Sequence, residues 1–413
     1  MKIKNRINDM VCMKITKLIS IIILPVMMAG CGEGNKQSGD DFITIDVTKK
    51  YPKKELILQD FLDVEYVPLE TSDEFITTTS LQAIGKDIIL IKDLNRINTG
   101  NIFIFDRNGK GLRKINRLGQ SGEEYTNTHG ITFDQDNEEI FINNTFSSKV
   151  LVYDLLGNFK RSFKNREGFF YDQIDDFDHD HLICHDAFTE LDKPEIKRNF
   201  FLIVSKLDGS IKEIPIPYKE KKSTLIMAID ANGEIISNIY CIYNKKLIPY
   251  QDSWVLAEPS ADTIYTYSQN HIMKPFIVKT PPVQSMDPEI YLFAGVLTDR
   301  YYFMQTVKRE YDFVKDTGFP STELIYDKQE NAIYEYVVYN DDFINKRPMS
   351  MVYEVPIPPV IVNNDGIAFM TRLDAADLVE AYKKGQLKGK LKEIAAKLDE
   401  ESNAVIMLAK YKK

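Results

Sequence analysis

A short pattern recurs along this chain: an apolar run, a turn cluster containing Gly or Asn, then a basic and apolar run leading away. It is cleanest at Ile102-Phe103-Ile104-Phe105-Asp106-Arg107-Asn108-Gly109-Lys110 and at Val150-Leu151-Val152-Tyr153-Asp154-Leu155-Leu156-Gly157-Asn158, and looser copies end at Gly209, Asn270 and Asn331. Gly109, Gly157 and Gly209 recur roughly every 50 residues, close to the span of about 40–50 residues that one four-stranded blade requires. Self-similarity at this period points to a radial or stacked array of β units.

In the clearest unit, alternating segments at 130–134, 139–143, 150–153 and 159–163 supply four strands, the last two joined by a hairpin turn at Leu155-Leu156-Gly157-Asn158. Matching units are drawn at about 79–118, 129–164, 171–216, 224–279, 290–340 and 357–413. The expected fold is all-β: a six-bladed β-propeller of four-stranded antiparallel blades occupying residues 42–413. The last unit offers three strands, near 360–362, 366–370 and 404–408, so the N-terminal segment 42–47 is expected to supply its fourth strand and close the ring. Such closure leaves no unpaired sheet edge.

An insertion at about 374–399 in the last unit reads as helical. Asp374 is placed to cap a short helix ending near Gly385, and Leu387, Leu391, Ile394 and Leu398 follow helical spacing over 386–398. The apolar stripe is expected to pack on the propeller. The outer face carries Lys388, Lys390, Lys392 and Lys397; a solvated face is the simplest reading, with lipid head groups or an acidic partner as the alternative.

The repeats, together with Leu62-Asp63-Val64-Glu65-Tyr66-Val67-Pro68-Leu69-Glu70-Thr71 and Arg117-Leu118-Gly119-Gln120-Ser121-Gly122-Glu123-Glu124-Tyr125, resemble the six-bladed β-propeller lipoproteins of Bacteroides-type bacteria, relatives of NHL-type propellers. The resemblance spans nearly the whole mature chain. It implies the propeller fold and a cell-envelope setting, and leaves the activity open.

The N-terminus is consistent with that setting. Lys14 and Lys17 precede an apolar stretch at 18–28, followed by Met28-Ala29-Gly30-Cys31. A basic start, a short apolar core and small residues before a cysteine form a lipoprotein signal over residues 1–30, with Met13 as the expected start and Cys31 as the lipidated first mature residue. The apolar stretch is shorter than the roughly 20 residues a bilayer span needs. Residues 31–41 read as a flexible tether. The expected location is the cell envelope, lipid-anchored at the outer membrane on its periplasmic or surface side.

The full chain carries 52 basic and 61 acidic residues, and the signal removes five of the former and one of the latter, so the mature body is distinctly acidic. An acidic body excludes a general nucleic-acid role. The 22 Tyr and 23 Phe suit blade-to-blade packing, which buries broad aromatic rings. Beyond Cys31, the body contains Cys184 and Cys241; the compartment permits a bridge between them, and buried free thiols are the alternative.

Chemical motifs are sparse. There is no Gly-x-Ser-x-Gly, no His-Glu-x-x-His and no phosphate-binding Gly loop followed by Lys-Ser or Lys-Thr. The cluster Asp178-His179-Asp180-His181-Leu182-Ile183-Cys184-His185-Asp186 holds three of the five histidines. Alignment with the second unit puts His179 and His181 in a turn, so no metal site is assigned. No cofactor is expected either, although a channel calcium ion held by carboxylates from several blades would accompany an enzymatic role.

Arg117, Gln120, Glu123, Tyr125 and His129 lie on the first crossing between blades and are the expected ligand contacts near a channel mouth. The connections between second and third strands lengthen along the chain, read at 144–149, 187–198, 244–262 and 307–322, so one face is expected to be plain and the other elaborated. Long ordered loops are kept where they bind something. The expected function is a binding or scaffolding module whose long-loop face takes a protein, glycan or peptide partner. The rival is a metal-dependent propeller hydrolase or lyase with its site at the central channel.

Overall fold

The computed structural model describes residues 42–93, 99–187, 198–229, 234–240, 245–352, 360–361 and 366–412. The signal, Cys31, the tether and Cys241 lie outside the described residues.

Two-sided burial explains the repeated apolar runs. In the strand Asn101–Asp106, Ile102 and Ile104 join a cluster with residues of the second blade, while Phe103 and Phe105 join another with residues of the sixth. Successive side chains of a strand point to opposite faces, so a strand buried on both faces reads as an unbroken apolar sequence. Lys149–Asp154 repeats the arrangement: Leu151 and Tyr153 face the first blade, Val150 and Val152 the third. Six hydrophobic clusters among the described residues occupy the six joints between neighbouring blades. The core is thus a ring of interfaces.

The first three blades form antiparallel sheets from consecutive strands. They run from Ser80–Ile84 to Gly111–Asn116, from Gly130–Asp134 to Phe159–Lys164, and from Tyr171–Asp176 to Ile211–Ile214. The fifth uses Ile290–Leu297, Tyr301–Lys308, Ser321–Asp327 and Ala332–Tyr339.

The fourth blade departs from the expected segment. Its strands are Leu247–Tyr250, Ser253–Leu256, Thr263–Ser268 and Met273–Thr280, whereas among the described residues Leu225–Ile229 and Ile235–Tyr240 pair only with each other. The stretch read as a loop over 244–262 therefore contains the two inner strands. Pro249 disguised the innermost one. That strand has a neighbour on one side only, and a sheet edge tolerates the missing N–H of proline.

Ring closure also differs in detail. The strand that completes the sixth blade is Leu62–Pro68, antiparallel to Val405–Tyr411 with Leu62 opposite Tyr411 and Pro68 opposite Val405; Ile367–Leu373 lies on the other side. The segment expected to close the ring, as Ile43–Asp46, instead runs parallel to Met273–Thr280 on the outside of the fourth blade. Lys53–Ile57 does the same on the fifth blade, parallel to Ala332–Tyr339. Seven residues of Leu62–Pro68 match the seven of Val405–Tyr411, a ladder that four residues cannot provide. The N-terminal segment thereby covers two open edges before closing the circle. Val360–Ile361, in the chain position of the sixth blade's innermost strand, pairs with Ser80–Ile84 of the first.

The glycines of the repeat serve the joints as well as the turns. Gly109, Gly157 and Gly209 have φ of +85, +82 and +75°. A Cβ on Gly109 would meet the Pro68 carbonyl oxygen at 2.1 Å, one on Gly157 would meet Ile115 at 2.9 Å, and one on Gly209 would meet Phe163 at 2.6 Å. Each turn leans on the outer strand of the preceding blade, so both backbone conformation and contact demand glycine.

Candidate functional site

Connections gather on one face and bind each other there. In the second blade, Asn127 Nδ2 donates to Thr145 Oγ1, joining the incoming crossing at 117–129 to the connection after the second strand. The same joining recurs where Arg198 donates to the Gly168 carbonyl, where the Lys222 N–H donates to Ser260 Oγ, and where the Ile344 N–H donates to the Gln386 carbonyl. This face carries the insertion of the sixth blade and the small hairpin Tyr311–Asp312 with Thr317–Gly318. The opposite face has short turns, such as 135–138 and 155–158.

Exposed apolar side chains follow the same division. Ile76, Leu118, Phe146, Phe170, Val314, Ile344 and Tyr382 stand on crossings or long connections, with Phe146 82% and Val314 96% exposed. Leu156, Leu207 and Ile272 are the counterparts in the short turns.

The five expected ligand contacts occupy different surroundings. Tyr125 is fully buried; its hydroxyl donates to the Gly100 carbonyl at 2.6 Å and accepts from the Arg117 N–H at 2.9 Å. Arg117 Nε donates to the Gly157 carbonyl of the next blade. Gln120 and Glu123 are exposed at the tip of the crossing, where the Glu123 carbonyl accepts from Tyr153. His129 sits apart from them, its ring edge-to-face with Phe170 at 5.6 Å. Burial, and then the neighbouring Lys92, push its imidazole below the usual range against the pull of Asp172.

His129 belongs to an arc of charged groups spanning the first four blades on this face. Lys92 donates to the carbonyls of Thr128 and His129, and burial lowers its amine to about 8. Asp172 accepts from His185 Nδ1 at 2.5 Å and from Lys246 at 3.2 Å. Burial alone would raise the Asp172 carboxyl, but His185 and Lys246 outweigh it and hold it below the usual range. Glu258 accepts from Lys221 at 2.8 Å and from the Ser260 N–H at 3.0 Å. Lys221 and His185 hold it well below the usual range despite complete burial.

One contact in the arc is incomplete. His185 Nε2 and Glu258 Oε2 face each other at 3.8 Å, both buried and without a hydrogen-bond partner among the described residues. The sequence marked His185 only as part of a histidine cluster. The strand Ser253–Leu256 ends two residues before Glu258, and a carboxylate so close to an apolar strand end was the available signal.

The histidine cluster is divided by its strand. His181 opens His181–Asp186 at the plain face, its Nδ1 beside Asp178 at 2.9 Å, and His185 lies near the other end. Among the described residues, no three His, Cys, Asp or Glu side chains gather in a way that would hold a metal ion. Cys184 is a buried free thiol, pushed well up by burial.

On the elaborated face, a cleft of about 440 Å3 lies between the crossing at 340–350 and the first insertion helix, Ala375–Lys383. Its floor includes Phe343, Met349, Phe369, Leu378 and Met407. On its rim, Arg372 is committed to Asp374 and to the carbonyls of Thr78 and Thr79, and Lys384 to Glu380. Among the described residues, Arg347 has only Asp377 at 3.8 Å, both largely exposed. The insertion holds the shape because Leu378, Leu387, Leu391 and Ile394 are buried in the joint between the fifth and sixth blades. The second helix is Gly389–Ala395, shorter than the 386–398 expected, because Gly389 at φ +58° prevents extension backwards.

Comparison with known proteins agrees with this architecture. The chain resembles a protein of Bacteroides fragilis described as exported, at 16% identity and a TM-score of 0.57, over 87% of this chain and 99% of that one. It also resembles a member of the DUF4221 family from Bacteroides vulgatus, at 11% identity and a TM-score of 0.48, over 86% and 99%. No curated protein matches. A family model covers residues 42–410, from the outermost N-terminal strand to the last strand of the sixth blade, and the chain belongs to that family, described as a domain of unknown function (DUF4934).

Proposed function

We propose that this protein is an extracytoplasmic binding or scaffolding module, tethered through a lipid on Cys31 to the outer membrane, whose elaborated face takes a protein or peptide partner. The observation that carries the reading is the distribution of exposed apolar side chains. Val314, Phe146, Ile344 and Ile76 are each exposed on a different crossing or connection of the elaborated face. Exposed apolar groups rimmed by polar residues mark protein contacts, and aliphatic ones favour a protein over a glycan.

The envelope setting is supported by the basic and apolar N-terminus ending in Ala29-Gly30-Cys31 and by the exported description of the Bacteroides fragilis relative. Among the expected contacts, His129 and the exposed Gln120 and Glu123 are positioned to take part. Arg117 and Tyr125 act by fixing the crossing that carries them.

Two measurements test the reading. Cys31→Ser is expected to move the protein from the membrane to the soluble fraction; retention on the membrane would remove the lipid anchor. Surface cross-linking in intact cells, repeated with the Val314 hairpin shortened to a tight turn and with Phe146→Asp, is expected to lose the partner captured by the wild type. Capture that survives both changes would place the binding face elsewhere.

A further inference from the structure

The cleft beside the first insertion helix has the chemistry of a peptide-end receptor. Its floor of Phe343, Met349 and Leu378 suits an apolar side chain. Its rim contains two side-chain amides, Asn345 and Gln386, that touch each other only at 3.4 Å. Each amide offers a donor and an acceptor, which is the complement of a peptide group. Arg372 and Lys384 are held by carboxylates at 3.0 and 2.5 Å, while Arg347 reaches Asp377 only at 3.8 Å. A guanidinium with most of its donors uncommitted is the natural partner of a carboxylate, to which it binds in a fork.

We infer that this cleft binds the C-terminal end of a peptide that finishes in a large apolar residue. The apolar side chain rests on Phe343, Met349 and Leu378, the last peptide group lies between Asn345 and Gln386, and the terminal carboxylate meets Arg347. The volume of about 440 Å3 suits two or three residues and falls in the range of roughly 300–1,000 Å3 usual for ligand pockets. Capture of a free chain end by fixed donors is an established recognition mode. The inference rests on the reading that the elaborated face is the binding face, and names what one part of that face takes.

The test is calorimetric titration of the full mature protein with the tetrapeptide Gly-Gly-Leu-Phe as free acid and as C-terminal amide. The free acid is expected to bind at least tenfold more tightly than the amide. Arg347→Gln is expected to bring the acid down to the level of the amide while leaving the amide unchanged, and Ala381→Trp, which fills the cleft from the helix, to abolish both. Melting curves of each variant establish that the fold is retained.

Equal affinity for acid and amide, or binding indifferent to Ala381→Trp, would overturn the inference. If the peptide fails while shortening the Val314 hairpin still removes the partner, the cleft assignment alone is wrong. If the peptide binds and the hairpin change leaves the partner in place, the wider face reading is the one that fails.

Discussion

Lys206 and Gly109 on the plain face contrast with the His185–Glu258 and Arg347–Asp377 pairs and with Gly168 on the elaborated face. On the plain face, Lys206 is almost completely buried and saturated: its ammonium meets Asp134 at 2.5 Å, Asp176 at 2.6 Å and the Asp178 carbonyl at 2.6 Å, tying the second blade to the third. On the elaborated face, His185 and Glu258 stop 3.8 Å short of each other, and Arg347 stops 3.8 Å short of Asp377. Lys206 has spent its bonding capacity on the fold. His185, Glu258 and Arg347 retain some, which is what a surface that meets another molecule needs.

The largest effect that can break this contrast is removal of the saturated lysine. Lys206→Met keeps most of the volume but leaves Asp134 and Asp176 facing each other without a cation, and breaking a buried pair in this way costs about 3–5 kcal/mol. Arg347→Gln, at an exposed and long pair, is expected to change stability by less than about 0.5 kcal/mol. Chemical denaturation of the two variants measures both. Similar losses would mean that the faces do not differ in how charge is used.

Glycine sharpens the same contrast at smaller scale. Gly109, in a turn of the plain face, has φ +85° and would place a Cβ 2.1 Å from the Pro68 carbonyl oxygen; Gly168, on the elaborated face, has φ +75° and open space around it. Gly168→Ala is expected to cost only the left-handed backbone penalty, about 1 kcal/mol. Gly109→Ala adds displacement of the closing strand of the ring, and about 3 kcal/mol is expected. Thermal melts of the pair decide it, and equal shifts would remove the claim that these turns are joints.

How far such features can be read from sequence depends on whether their cause is local. The apolar run Ile102-Phe103-Ile104-Phe105 announced a strand buried on both faces because the cause is the strand's own alternation. The helical insertion was legible through Leu391 and Ile394 for the same reason, whereas Leu387, read as part of that helix, instead makes an antiparallel bridge with Phe343. Closure was not, because 42–47 and 62–68 both alternate, and the choice between them depends on a ladder to Val405–Tyr411 at the far end of the chain.

The candidate sites fail to show in sequence for a related reason. His185 and Glu258 come from different blades, and Arg347 and Asp377 from different connections; each residue alone looks like ordinary surface charge. His129 was singled out because it stands on a crossing whose position the repeat fixes. Tyr125, from the same crossing, is an aromatic core residue, and a crossing needs such an anchor as much as it needs exposed groups.

The smallest contrast is in pH dependence, and its sign differs between the faces. Burial, opposed by Lys206 and reinforced by Asp134 and Asp136, raises the Asp176 carboxyl to about 7. A raised acid adds stability that is fully present below its unfolded value of 3.8 and is lost as pH rises through about 7. Glu258 is held well below the ordinary glutamate value of 4.5 by Lys221 and His185 against burial, so its contribution is present above that value and is lost as pH falls. The stability of the wild type relative to Asp176→Asn should therefore fall by on the order of 1–2 kcal/mol between pH 4 and 7. Relative to Glu258→Gln it should change in the other direction, being largest at neutral pH and shrinking as the solution is acidified. Denaturant midpoints from about pH 2 to 8, which takes in the region below 4.5 where Glu258 loses its contribution, compare the two. Parallel curves would show that the carboxylates of both faces sit in equivalent surroundings, and the division of the molecule into a saturated face and an unsaturated one would have no electrostatic basis.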